Sequence, residues 1–156
     1  MSGLDLGQFK ALIVRPTLGV LGLDGPAAIN LLAGTALAES GLTFLSQIDG
    51  PALGVFQMEP ATHDDCWARF LPARPALAAS VRAIAGTATP RAGLMVSSLA
   101  YACAMARITY YRAPGRLPQA HDAAGLSAYH KQYYNTALGA ANARRNTQFF
   151  QKAIDA

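Results

Sequence analysis

Residues 24–41 read DGPAAINLLAGTALAESG, and this stretch decides the fold class. Asp24-Gly25-Pro26 offers a helix cap followed by a proline in the first turn, where its fixed φ and missing N–H are tolerated. Between Ala27 and Glu39 only Asn30 and Thr35 interrupt as polar residues, so the predicted helix is apolar on nearly every side and belongs in the core. Gly41 then supplies a residue suited to the left-handed conformation in which helices commonly stop. A core helix of this kind requires other elements packed around it.

Those elements also read as helices. An amphipathic helix is predicted over 5–14. Another starts around 60–62, is interrupted by Pro72 and Pro75, and is followed by one over 76–85 that stops before Gly86. Thr89-Pro90 precedes an apolar segment predicted to run unbroken to Tyr111 or Arg112, roughly 35 Å at about 1.5 Å per residue. Two more helices are expected over 122–134 and 143–153. No segment shows the sustained two-residue alternation of a half-buried strand, so the expected class is mainly α. Between Glu39 and Pro60, Asp49-Gly50-Pro51 and Gly54 separate short apolar pieces, which predicts a loop or small β-hairpin. A chain of 156 residues without a low-complexity stretch reads as one domain, 1–156.

Composition narrows the function classes. Hydrophobic residues make up 52% and charged residues 14% of the chain, far from a disordered composition. The net charge is +4, but the basic residues are scattered and Arg144-Arg145 is their only adjacent pair. That pattern speaks against a nucleic-acid groove and suits a polyanionic surface such as a bacterial envelope. The longest apolar run, 92–106, is shorter than a bilayer-spanning helix and lies between Arg91 and Arg107, so no membrane span is expected. The first residues carry no basic run, and Arg15-Pro16 breaks the apolar stretch that follows, so no signal peptide is expected. Cys66 and Cys103 stand 37 positions apart and read as buried free thiols, with a disulfide as the alternative. His63, His121 and His130 look equally isolated. Neither a metal site nor a cofactor is expected.

The chemistry-bearing feature is Glu39. Its own helix face carries Leu31, Leu32, Thr35 and Ala36, so its stem is expected to emerge from packed apolar surroundings at the negative end of the helix dipole. Both conditions disfavour the carboxylate, the property required of a general acid acting on a leaving oxygen. An exposed glutamate at a frayed helix end is the competing reading. The following loop adds two glycines, Gly50 and Gly54, that let backbone approach a ligand, and in Gly54-Val55-Phe56-Gln57 an amide able to grip a hydroxyl or acetamido group. Gln57 bonded only to nearby backbone is its alternative.

Glu39-Ser40, then Gly54-Val55-Phe56-Gln57, then Pro60 and Thr62, resembles the signature of the soluble lytic transglycosylase and goose-type lysozyme group. The resemblance implies a lysozyme-like fold and cleavage of the linkage from N-acetylmuramic acid to N-acetylglucosamine in peptidoglycan, with Glu39 as the catalytic acid and Ser40 and Gln57 at the substrate. A weaker match reaches Tyr101, which corresponds to a family tyrosine near the catalytic carboxyl. Leu94 stands where the family often has asparagine. The stretches around Ala106 to Arg112 and Tyr133-Tyr134-Asn135-Thr136 look most like bacteriophage-encoded members, which adds Tyr134 as a substrate-contacting candidate.

Two reaction courses stay open. An inverting hydrolase needs a second carboxylate to activate water. Glu59 is the candidate, with Asp49 behind it and a solvated first-turn carboxylate as the alternative reading of Glu59. A lytic transglycosylase needs none, because the sugar's own 6-hydroxyl attacks. The expected setting is a phage virion or the host cytoplasm, with peptidoglycan as substrate and phage tail or virion proteins as candidate partners. The reading from a different class is a non-catalytic tail or assembly component that retains a lysozyme-like fold.

Overall fold

A computed structural model of the protein describes residues 3–135 and 142–156. The chain opens with α1 (Leu6–Phe9), a π-helical turn (Lys10–Val14) and α2 (Arg15–Leu21) in direct succession. The helical path thus continues past the expected end at Val14. The Arg15 N–H reaches back to the Lys10 carbonyl, and Pro16 falls in the first turn of α2, where its missing N–H does no harm. Gly22, at φ 67°, ends it.

The core helix is α3 (Pro26–Ser40), and residues 28–36 are buried on every side of it. It is entered through Gly25 at φ 117°, with no side-chain cap, so Asp24 does not have the capping role expected of it. Its two polar interruptions are both satisfied, as burial demands. The Asn30 amide donates to the Ala120 carbonyl at 2.8 Å, and the Thr35 hydroxyl donates to the Leu31 carbonyl at 2.7 Å. Gly41 stops the helix at φ 61°.

A loop leads to α4 (Pro60–Asp65), a second π turn (Cys66–Phe70), a short 3₁₀ turn (Leu71–Ala73) and α5 (Pro75–Ala85), which Gly86 closes at φ 71°. The loop contains two isolated antiparallel bridges, Ser46 with Leu53 and Leu53 with Met58. No β-strand occurs among the described residues, and the protein is mainly helical.

The apolar segment after Pro90 differs from expectation. It forms α6 (Leu94–Ser97) and α7 (Leu99–Tyr111), separated at Ser98, where the backbone is extended (φ −122°, ψ 107°). The Ser98 hydroxyl accepts the Tyr101 N–H at 3.1 Å and caps α7, the local competition by which serine disfavours a helix interior. The long crossing therefore shrinks to about 20 Å for the 13 residues of α7. Helices α8 (Ala123–Tyr133) and α9 (Ala143–Asp155) complete the fold, each started by a side-chain cap, from Asp122 and Asn142.

Helix α9 packs against both α3 and α8. Gly34 makes the close approach possible, because a Cβ there would run into the Phe150 ring, which is fully buried. Lys10 secures the far end of α9: its ammonium donates to the Ala153 carbonyl at 2.6 Å and to the Ala156 carbonyl at 3.1 Å. A cation on terminal helix carbonyls is favourable, and burial pushes the Lys10 pKa down. Cys66 and Cys103 are buried free thiols, and burial pushes the Cys103 thiol up. No helix among the described residues is long and apolar enough to cross a membrane.

Candidate active site

Glu39 lies in the last turn of α3, at the wall of an open cleft of about 700 Å³. Its side chain is only 14% exposed, so the carboxyl meets the cleft over a small part of its surface. One oxygen, Oε1, is held from the C-terminal end of α8: His130 Nε2 lies 2.8 Å away, and the Asn135 amide donates from 3.3 Å. His130 is fully buried, with its ring between Tyr134 (centroids 5.9 Å) and Phe150 (5.6 Å). Its other nitrogen, Nδ1, is buried without a hydrogen-bond partner.

A shell of hydroxyls and rings fixes the carboxyl's surroundings. The Thr35 hydroxyl gives its proton to Leu31, so the Tyr110 hydroxyl, 2.6 Å away, donates to Thr35. Tyr110 stacks on Tyr134 at 5.2 Å, and the Tyr134 hydroxyl donates to the Phe56 carbonyl at 2.7 Å. Burial above all, with the nearby Glu39 carboxyl adding to it, pushes both phenols well above their ordinary range. Tyr134 therefore ties the end of α8 to the cleft loop and also lines the cleft.

The loop is built around Gly54. At φ 75°, and with the Met95 carbonyl where a Cβ would stand, this position accepts only glycine without strain. Its N–H donates to the Leu45 carbonyl at 2.8 Å. Its carbonyl accepts the Gln57 N–H at 3.0 Å and the Gln57 side-chain amide at 2.9 Å. Gln57, itself at φ 47°, is thus held by nearby backbone and still lines the cleft. Glu59 is exposed, precedes the first turn of α4 and lines the cleft as well. The structure brings Glu39, Gln57, Glu59 and Tyr134 to one cavity.

Ser40 and Tyr101 are employed elsewhere. Ser40 is 5% exposed; its hydroxyl donates to the Val55 carbonyl at 2.6 Å and accepts the Leu42 N–H at 3.2 Å, binding the end of α3 to the loop from beneath. Tyr101 is fully buried in a separate network. Trp67 Nε1 donates to its hydroxyl at 2.9 Å, the hydroxyl meets His63 Nε2 at 2.6 Å, and His63 Nδ1 meets Asp64 at 2.8 Å. Neither residue lines the cleft. Asp49, in the left-handed region at φ 55°, is exposed and outside it too.

The structure adds residues that the sequence left unassigned. His130 and Asn135 belong to Glu39, and no local pattern in the sequence signals it. Phe44, 48% exposed, and Ile48, 70% exposed, bring apolar surface to the cleft from the loop, while Asn142, Arg145 and Asn146 face it from the start of α9. The described lining therefore mixes amides, apolar patches, two carboxyls and one guanidinium, chemistry suited to a ligand rich in hydroxyl and amide groups with apolar faces. No group of three or more His, Cys, Asp or Glu among the described residues is arranged to hold a metal ion. No protein-family model matches the chain, and no curated protein or solved structure matches it either.

Proposed function

We propose that this protein cleaves the glycan strand of peptidoglycan at the linkage from N-acetylmuramic acid to N-acetylglucosamine, with Glu39 as general acid. The observation that carries the reading is a largely shielded carboxyl, met on one oxygen by His130 and Asn135, at the wall of a polar cleft it shares with Gln57. The resemblance of Glu39-Ser40 and the Gly54 to Thr62 segment to lytic transglycosylases and goose-type lysozymes supports it from the sequence. On this reading the helical domain is lysozyme-like and phage-encoded, working from a virion or from the host cytoplasm on the cell wall.

The chemistry follows from placement. Glu39 gives its proton to the bridging oxygen, the C1–O bond breaks with its electron pair passing to that oxygen, and positive charge develops on the sugar ring. An incoming nucleophile then completes the reaction and gives up a proton, which the Glu39 carboxylate left behind accepts when the sugar itself attacks. If that nucleophile is the same sugar's 6-hydroxyl, Glu39 suffices and the product carries an anhydro ring. If it is water, Glu59 is the carboxylate available in the cleft to activate it. Gln57 and the exposed faces of Phe44 and Ile48 supply amide and apolar contacts for the sugar rings.

The test is Glu39→Gln, which keeps the shape and removes the transferable proton. Loss of a general acid costs about 10²–10⁴-fold, so clearing of purified sacculi should fall by at least the lower figure. Unchanged clearing refutes the assignment. A wild-type protein that binds sacculi and releases no fragments identifies the tail or assembly component instead.

A further inference from the structure

We infer that His130 is a positioning residue for Glu39: it donates from Nε2 to Oε1, and thereby assigns the acid proton to the other carboxyl oxygen, Oε2. The inference rests on Glu39 acting as the acid, and it goes further by naming the oxygen that carries the proton and the residue that decides this.

In a neutral imidazole one ring nitrogen donates and the other accepts. His130 Nδ1 is buried with no partner, in a ring packed between Tyr134 and Phe150. A proton on Nδ1 would be a buried N–H with nothing to receive it, a rarer and costlier defect than an unused lone pair. An imidazolium would carry that same orphan N–H and a buried charge besides. The remaining form has the proton on Nε2, directed at Glu39 Oε1 across 2.8 Å.

Asn135 then removes the remaining ambiguity. Its amide nitrogen can only donate, and it too points at Oε1, from 3.3 Å. An oxygen that receives two N–H groups is the acceptor oxygen of the carboxyl, and Oε2 accepts from no described residue. The acid proton therefore sits on Oε2. When Oε2 passes that proton to the leaving oxygen, and the electron pair of the broken C1–O bond goes to the same oxygen, the two donors stay on Oε1. Nothing in the site has to rotate or exchange a proton during the step, which is the condition for a pre-organised acid.

The experiment has two arms. Long-range ¹H–¹⁵N NMR of the imidazole ring reads the tautomer independently of any activity. At neutral pH the wild-type protein should show a protonated Nε2 and a bare Nδ1 at His130, and Glu39→Ala should move the Nε2–H signal. A protonated Nδ1, or an imidazolium, overturns the inference. The kinetic arm uses soluble peptidoglycan fragments and two variants checked for folding by thermal unfolding. His130→Leu fills the space without a donor and should lower kcat about 10²-fold, the scale of a misplaced catalytic group, with KM little changed. His130→Gln returns an N–H near the position of Nε2 and should recover most of that loss. A folded His130→Leu with wild-type kcat, or His130→Gln no better than His130→Leu, overturns it. If the wild-type protein cleaves nothing, the proposed function fails, and the NMR arm still decides whether His130 donates to Glu39.

Discussion

Replacing Gly54 by alanine tests whether the cleft wall depends on one backbone position. At φ 75° an alanine is strained by about 1–2 kcal/mol in the left-handed region. The added Cβ also meets the Met95 carbonyl, a backbone atom that cannot swing aside, and overpacking of this kind costs about 1–3 kcal/mol more. The sum is about 2–5 kcal/mol. Gly22→Ala is the matched control: φ is 67° there and a Cβ would meet nothing within 4 Å, so only the conformational part, about 1–2 kcal/mol, should appear. Urea unfolding of both variants gives the comparison, and the difference between them measures the contact with α6. Because Gly54 also receives both Gln57 hydrogen bonds, Gly54→Ala should weaken cleavage of sacculi at temperatures where the variant is still folded. Equal stability losses in the two variants would refute the reasoning.

Tyr101→Phe leaves the buried His63 Nε2 and the part-buried Trp67 Nε1 without their shared partner and should cost about 1–3 kcal/mol, read as a lower unfolding midpoint in urea. Burial raises the Tyr101 pKa from 10.0 to about 12. Between those values the folded protein keeps a proton that the unfolded chain has lost, so stability is intact below pH 10 and falls as pH rises through this window. Tyr110 and Tyr134 act in the same sense. Denaturation at stepped alkaline pH, with tyrosinate absorbance followed in parallel, checks this; a flat stability profile contradicts it. Cys66 and Cys103 should resist a thiol reagent in the folded state, and both should react on unfolding without added reductant, whereas a disulfide would yield neither.

The core helix and the cleft loop were legible because their signals are local. Pro26, the apolar run after it and Gly41 bound α3 to within a residue or two, and Glu39 necessarily falls at its end. Gly54 and Gln57 announced a turn that the structure builds with left-handed backbone at both positions. Ser98 escaped notice because a single serine in an apolar run is a weak break, and what makes it one is the hydrogen bond to the Tyr101 N–H. Tyr101 itself illustrates the limit of motif spacing. Its position in α7 matched expectation, but Trp67 and His63, from the helical stretch that begins with α4, take up its hydroxyl. The partners of Glu39 were illegible for a plainer reason. His130 and Asn135 come from the other end of the chain, and only the packing of α8 and α9 around α3 brings them to the carboxyl.

Mass spectrometry of the material released from purified sacculi, by the wild-type protein and by Glu39→Gln, tests the central claim most directly. The account predicts soluble muropeptides from the wild type, cut on the reducing side of N-acetylmuramic acid, and a loss of about 10²-fold or more in the variant. Anhydro ends would assign the attack to the sugar's 6-hydroxyl and reducing ends would assign it to water with Glu59. Sacculi left intact by the wild type, or cut equally well by Glu39→Gln, would contradict the account.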